Sequence, residues 1–213
     1  NKFDLKRDSV ILSFDDGFYS QYLLAEQVLN KQNLKGLFFI NPPFIGINKE
    51  NAVSFIKNNL KASQFNFKIE RKDPLNMNWH DVQSLVRNGH TIGAHTQTHI
   101  SLDKPLSPEE KERELNQPKK EFLEKLSITV EDFAFPFGHV NAMCKQTIAD
   151  AKETYSFLYC SVRGSLNQSK KIQRSMLPSV NDMKKSFSDL YVFYDPKDIV
   201  SGDFYWHTSF DHF

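Results

Sequence analysis

Cysteine, net charge and long apolar runs are what this chain has least of. Two cysteines, Cys144 and Cys160, occur among 213 residues. They lack metal-ligand spacing, and two inert thiols are a better reading than a single disulfide. Lys+Arg 27 against Asp+Glu 26 leaves a net charge of +1. That balance excludes the basic excess of a nucleic-acid binder and the cationic helix of a membrane-surface protein. No apolar stretch approaches a membrane span, and no signal peptide is present. The chain opens on Asn1 rather than Met, so a leader or further N-terminal sequence is expected to have been removed. Cytoplasmic and exported or cell-envelope locations both stay open. There is no internal repeat, linker or low-complexity tract.

What is present fits one globular domain over residues 1–213, long enough to bury a sizeable core. Hydrophobic residues make up 39% and charged residues 25%, with 19 Phe, which suits a sheet-centred core or a groove with aromatic walls. Apolar runs alternate with amphipathic segments, as in an α/β domain with a mostly parallel sheet. Strands are expected at 10–14, 36–40, 91–94, 133–135 and 157–162. Helices are expected at 22–32, with Leu23, Leu24, Val28 and Leu29 on one face, at 53–60, at 79–88 ended by Gly89, and at 143–153. Ser107-Pro108-Glu109-Glu110 opens a further helix that runs to about Leu126, kinked near Pro118. Residues 44–78 interrupt the alternation, and 64–77 read as an inserted loop.

Three segments carry the chemistry. Ser13-Phe14-Asp15-Asp16-Gly17 ends the first apolar run, where parallel α/β folds gather functional groups. Alone it reads more readily as a turn with a helix-capping Asp. His95-Thr96-Gln97-Thr98-His99 offers two imidazoles at i, i+4, one side of a helical turn and within reach of one ion. No glutamate lies between them, so a base must come from elsewhere, and Asp15 or Asp16 can supply it. One carboxylate and two imidazoles make a three-ligand set with positions left open for water and substrate. The third segment is Phe135-Pro136-Phe137-Gly138.

Together with Gly89-His90-Thr91-Ile92-Gly93-Ala94 and Phe133-Ala134, these segments resemble the first three motifs of the polysaccharide deacetylases, the NodB-like domains of carbohydrate esterase family four. The resemblance covers residues from Val10 to about Met176. It implies a distorted (β/α) barrel of about seven strands. It implies Asp15 as catalytic base and Asp16, His95 and His99 as ligands of a divalent metal, with Zn²⁺ expected and Co²⁺, Ni²⁺ or Fe²⁺ as alternatives. It also implies an N-acetylated carbohydrate substrate, a backbone oxyanion donor at Phe137, and a substrate groove beside Pro136 and Phe137. Phe in place of the usual Tyr is harmless, because the donor is main-chain.

Two departures stand out. The family often places an Arg two residues before the third motif's proline, where this chain has Ala134; Arg174 is the candidate to orient the base instead. The general acid, usually a late Leu-x-His, is read as His207 in Tyr205-Trp206-His207 rather than His212. Trp206, Tyr205 and Trp79 are aromatic residues that stack on a sugar or belong to the core. His90 reads as structural, and His139 as a groove residue. The expected activity is therefore metal-dependent N-deacetylation of an amino sugar in a polysaccharide or its precursor. The alternatives are a related amide or formamide hydrolase on a small or lipid-linked sugar, and a non-catalytic carbohydrate-binding relic.

Overall fold

In the computed structural model the structure describes residues 12–61, 74–161, 164–165, 171–173 and 203–204. Six strands form one wholly parallel sheet: β1 (Leu12–Asp16), β2 (Gly36–Ile40), β3 (Thr91–Ala94), β4 (Asp132–Ala134), β5 (Phe157–Cys160) and β7 (Lys171–Gln173). Short strands β6 (Gly164–Ser165) and β8 (Asp203–Phe204) pair antiparallel. Spatial order follows chain order, so the crossovers between strands advance in one direction. Successive right-handed crossovers place the helices on a single face and curl the sheet around the other. This is the expected distorted barrel, with six rather than seven strands in the main sheet among the described residues.

Side chains alternate across the strands, and the two faces pack differently. Phe38, Ile40, Ile92, Ala94, Phe133, Leu158 and Cys160 share one core with helical residues such as Ala25, Leu29, Val82, Leu85 and Phe122. Leu37, Phe39, Ala134 and Tyr159 form a second, smaller core without helical members. That cluster lies on the concave face, directly beneath the strand ends. Phe39 and Tyr159 pack there with rings tilted by 57° and 4.8 Å between centroids, and the Tyr159 hydroxyl donates to Asp132 at 2.6 Å.

The helices follow the sequence signals with instructive shifts. Helix α1 (Tyr19–Leu24) continues through a π-turn (Ala25–Leu29), starting earlier than the expected 22–32. Its buried residues are Ala25 and Leu29, whereas Leu24 and Val28 are exposed. The expected face is right at Leu29 and wrong at Leu24 and Val28; Ala25, four residues before Leu29 and on the same side of the helix, packs into the core instead. Helix α2 (Lys49–Asn58) begins at an Asn48 cap within the 44–78 stretch, and residues 62–73 of the expected insert lie outside the described residues. Helix α3 (Trp79–Arg87) carries an Asn78/Asp81 capping box and is followed by Gly89 at φ +78°. Helix α4 (Pro108–Lys111) starts at the expected Ser107 box. It passes through a π-turn (Glu112–Asn116) into α5 (Gln117–Leu126). The break expected near Pro118 is thus taken up as an extra residue in the preceding turn, where the missing proline donor is tolerated. Helix α6 (Lys145–Thr154) precedes β5. Among the described residues no helix is long and apolar enough to cross a membrane.

Gly93 shows how tight the concave face is. A Cβ there would lie 2.5 Å from the Phe39 ring and 3.1 Å from the Asp132 carbonyl oxygen. Gly93→Ala is expected to destabilise the fold by about 1–3 kcal/mol, the usual range for overpacking. Urea denaturation at constant m-value measures it.

Candidate active site

Four strand ends build the site. Asp15 and Asp16 are the last two residues of β1, which runs two residues past the expected end at 14. In a regular strand their side chains would point to opposite faces. Asp16 instead adopts φ +79°, which breaks the alternation and brings both carboxylates to the same imidazole. His95 Nε2 lies 3.9 Å from Asp15 Oδ2 and 3.7 Å from Asp16 Oδ1. Gly17 follows at φ +105°, and a Cβ there would meet Ile45 at 2.8 Å, so only glycine fits this exit from the strand.

His95 follows β3 directly, with its N–H donating to the Ile40 carbonyl at 3.2 Å. The segment to His99 is not the helical turn that the i, i+4 spacing suggests. Thr96 and His99 are both left-handed, at φ 60° and 56°. These two reversals, and not a helix, bring the rings together at 4.9 Å between centroids. Non-glycine residues in this region are costly and cluster at functional sites, and Phe137 at φ 62° adds another.

The two rings are held the same way. His95 Nδ1 lies 2.8 Å from the Ala134 carbonyl oxygen, and His99 Nδ1 lies 3.1 Å from that of Asn59. A carbonyl only accepts, so each Nδ1 carries the proton and each Nε2 presents its lone pair. Both Nε2 atoms face Asp16 Oδ1, at 3.7 and 3.5 Å. Those separations exceed hydrogen-bond length but approach the ~3.4 Å edge of a tetrahedron with ~2.1 Å metal bonds. The three ligand atoms all lie within 4.8 Å of one another. Two neutral imidazoles and one carboxylate are a donor set that suits Zn²⁺ and its neighbours in the first transition row.

His90 has the opposite tautomer. Gly36 N–H donates to its Nδ1 and its Nε2 donates to Asn30, both at 3.0 Å. It braces β2 against β3 at the far end of the sheet, in keeping with a structural role.

Phe137 packs its ring edge-on against His99 at 4.8 Å, and Pro136 beside it is buried. Phe137 therefore borders the cluster. Lys61, just past the end of α2 and midway along the 44–78 stretch, lies over the Phe137 ring at 5.3 Å. Trp79 packs on Phe122 as a core residue, and His139 is exposed. Arg174, Tyr205, Trp206, His207 and His212 lie outside the described residues.

Sequence reasoning missed three side chains that hold the loop. Asn41, buried at the end of β2, donates to the His95 and Thr96 carbonyls. Asn59 donates to the Thr98 carbonyl at 2.8 Å, in addition to accepting from His99. Glu114, fully buried, accepts from Thr98. Asn41 sat in an Asn-Pro-Pro strand stop and Glu114 in a run of helical charges, and neither pattern marks a contact so distant in sequence.

Such a domain, with a curled parallel sheet and a carboxylate–imidazole cluster at the carboxyl ends of its strands, has the architecture of a hydrolase of the (β/α) barrel class. The family model for polysaccharide deacetylase matches residues 2–156, and the chain belongs to that family. Among solved structures it resembles IcaB from Ammonifex degensii, with 18% identity and a TM-score of 0.59 over 84% of this chain and 71% of that one. A de-N-acetylase from Aggregatibacter actinomycetemcomitans aligns at 16% identity and TM-score 0.60, over 87% of this chain and 77% of that one. A polysaccharide deacetylase from Bacillus cereus aligns at 17% identity and TM-score 0.59, over 83% of this chain but half of that one. These likenesses establish a shared fold of the NodB type. No curated protein matches the chain.

Burial and the neighbouring His95 push the His99 pKa from 6.5 down to about 3. As pH falls below 6.5 the unfolded chain takes up this proton first, so stability is full above 6.5 and declines toward about 3. Thermal unfolding of the chelator-treated protein is expected to show this acid-side loss, with a shallower slope in His99→Gln.

Proposed function

We propose that the chain is a metal-dependent N-deacetylase acting on amino sugars of a polysaccharide or its precursor. The observation that carries this reading is the convergence of His95 Nε2, His99 Nε2 and Asp16 Oδ1, with both rings fixed through Nδ1 to backbone carbonyls. These three residues would hold a divalent ion, with Zn²⁺ the expected one. Such an ion supplies Lewis-acid polarisation of the amide carbonyl and lowers the pKa of water toward ~7.

The chain's own groups would do the rest. Asp15 borders the same cluster but stands outside the ligand triplet, which leaves its carboxylate to accept the proton of the attacking water. Gln21 donates to the Asp15 carbonyl at 2.5 Å and ties the start of α1 to that strand end. The Phe137 N–H, in the left-handed turn beside His99, is the donor assigned to the oxygen that gains negative charge. His207 is assigned as the acid that protonates the leaving amine, Arg174 as the group that orients Asp15, and Trp206 as a sugar-stacking face. These three roles rest on the sequence resemblance. Asp15 beside the ligand triplet also favours catalysis over a binding relic, which has no use for a base.

Metal content near one ion per chain, with chelator-sensitive acetate release from N-acetylglucosamine oligomers, is the expected outcome. Asp15→Asn should keep the metal and lose activity by about 10²–10⁴-fold, the usual span for a general base. Asp16→Ala and His95→Ala should lose the metal itself. Retention of both metal and acetate release in Asp16→Ala would falsify the assignment.

A further inference from the structure

Glu114 is a carboxylate with no solvent exposure, held in the π-turn between α4 and α5. A buried charge is costly unless each of its lone pairs meets a donor. Here Thr98 N–H reaches Oε2 at 2.9 Å, Thr98 Oγ1 reaches Oε1 at 2.8 Å, and Arg113 Nε reaches Oε1 at 2.8 Å. Two of these three donors belong to the residue that immediately precedes His99.

That placement matters because of the backbone it restrains. His99 sits at φ 56° and Thr96 at φ 60°, conformations that are costly and persist only where surrounding bonds over-determine them. Asn41 holds the His95 and Thr96 carbonyls and Asn59 holds the Thr98 carbonyl. Gln97 donates to Glu121 at 2.5 Å. Glu114 differs in gripping one residue by both its main-chain and side-chain donors, which fixes the Gln97–Thr98 peptide and the Thr98 side chain, one peptide before His99. With Asn59 on the Thr98 carbonyl, these contacts set the backbone from which His99 aims Nε2 at Asp16.

We infer that Glu114 is a positioning residue of the proposed metal centre, acting through Thr98 to hold His99 in its ligating pose. The inference rests on the metal-centre reading given above. Its chemistry requires a carboxylate. A glutamine of the same shape keeps a single acceptor atom; the Thr98 hydroxyl can turn to accept from its NH2 group, but either the Thr98 N–H or Arg113 Nε is then left facing a donor.

The test is the Zn²⁺ dissociation constant, measured on the purified full chain by competition with a chromophoric chelator. Glu114→Gln is expected to weaken Zn²⁺ binding by about 10–100-fold, the usual effect of removing an outer partner of a metal ligand. Thr98→Val deletes only the hydroxyl arm and should weaken binding by at least about threefold, the worth of one such bond. The double variant should be little worse than Glu114→Gln, since the two substitutions break one shared contact. His90→Gln serves as the control for a fold merely weakened. Its partners Gly36 and Asn30 lie away from the cluster, so its Tm should fall with the Zn²⁺ affinity unchanged. Glu114→Gln within twofold of wild type overturns the inference, as does unchanged affinity in Thr98→Val should the first variant fail to fold. A wild-type chain that binds no Zn²⁺ overturns the metal centre itself and is a separate outcome.

Discussion

The hydrogen bond from His95 Nδ1 to the Ala134 carbonyl is the contact on which the site depends. It ties the end of β3 to the end of β4, and it sets which nitrogen of His95 faces the aspartates. The bond from His99 to Asn59 repeats the device across to the end of α2. Without these two acceptors either tautomer of each ring would be available, and the lone pairs facing Asp16 would be present only part of the time. Backbone carbonyls are suited to this task because they cannot donate and their positions are set by the fold.

That dependence explains the close packing beneath the cluster. The carbonyl of Ala134 is in place because β4 lies in register between β3 and β5, above a concave core of Phe39, Ala134 and Tyr159. Gly93 is the residue that admits the Phe39 ring at this point. Strain is concentrated one layer higher, at Asp16, Thr96, His99 and Phe137, all left-handed without being glycine. A regular sheet supports an irregular rim, and polar side chains from β2, α2 and the π-turn hold that rim in shape.

Much of the fold was legible from local signals. The Asn78 and Ser107 caps, the glycine after α3 and the apolar runs of β2 and β3 are short-range patterns with direct backbone consequences. On the first helix Leu29 is buried as its pattern suggests, but Val28 and Leu24 are exposed while Ala25 is fully buried. Leu and Val outrank Ala in an apolar count, yet Ala25 stands four residues before Leu29 and so lies on the side that meets the core. The histidine pair was found for its spacing, yet the spacing misrepresented its backbone. Two left-handed residues, not a helical turn, join the rings.

The sequence by itself determined the donor types, their order and the family to which they belong. Asp-Asp-Gly, His-x-x-x-His and Pro-Phe-Gly are contiguous strings, and contiguity is what a linear reading can detect. Only the tertiary structure decided which nitrogen of each histidine faces the carboxylates and what keeps it there. Asn59, Ala134 and Glu114 reach the histidine loop from 40, 39 and 16 residues away. Contacts of that kind are written in the curvature of the sheet and the register of its strands. Their energy comes from burying donors and acceptors together, which no segment of the chain can do before the others have folded around it.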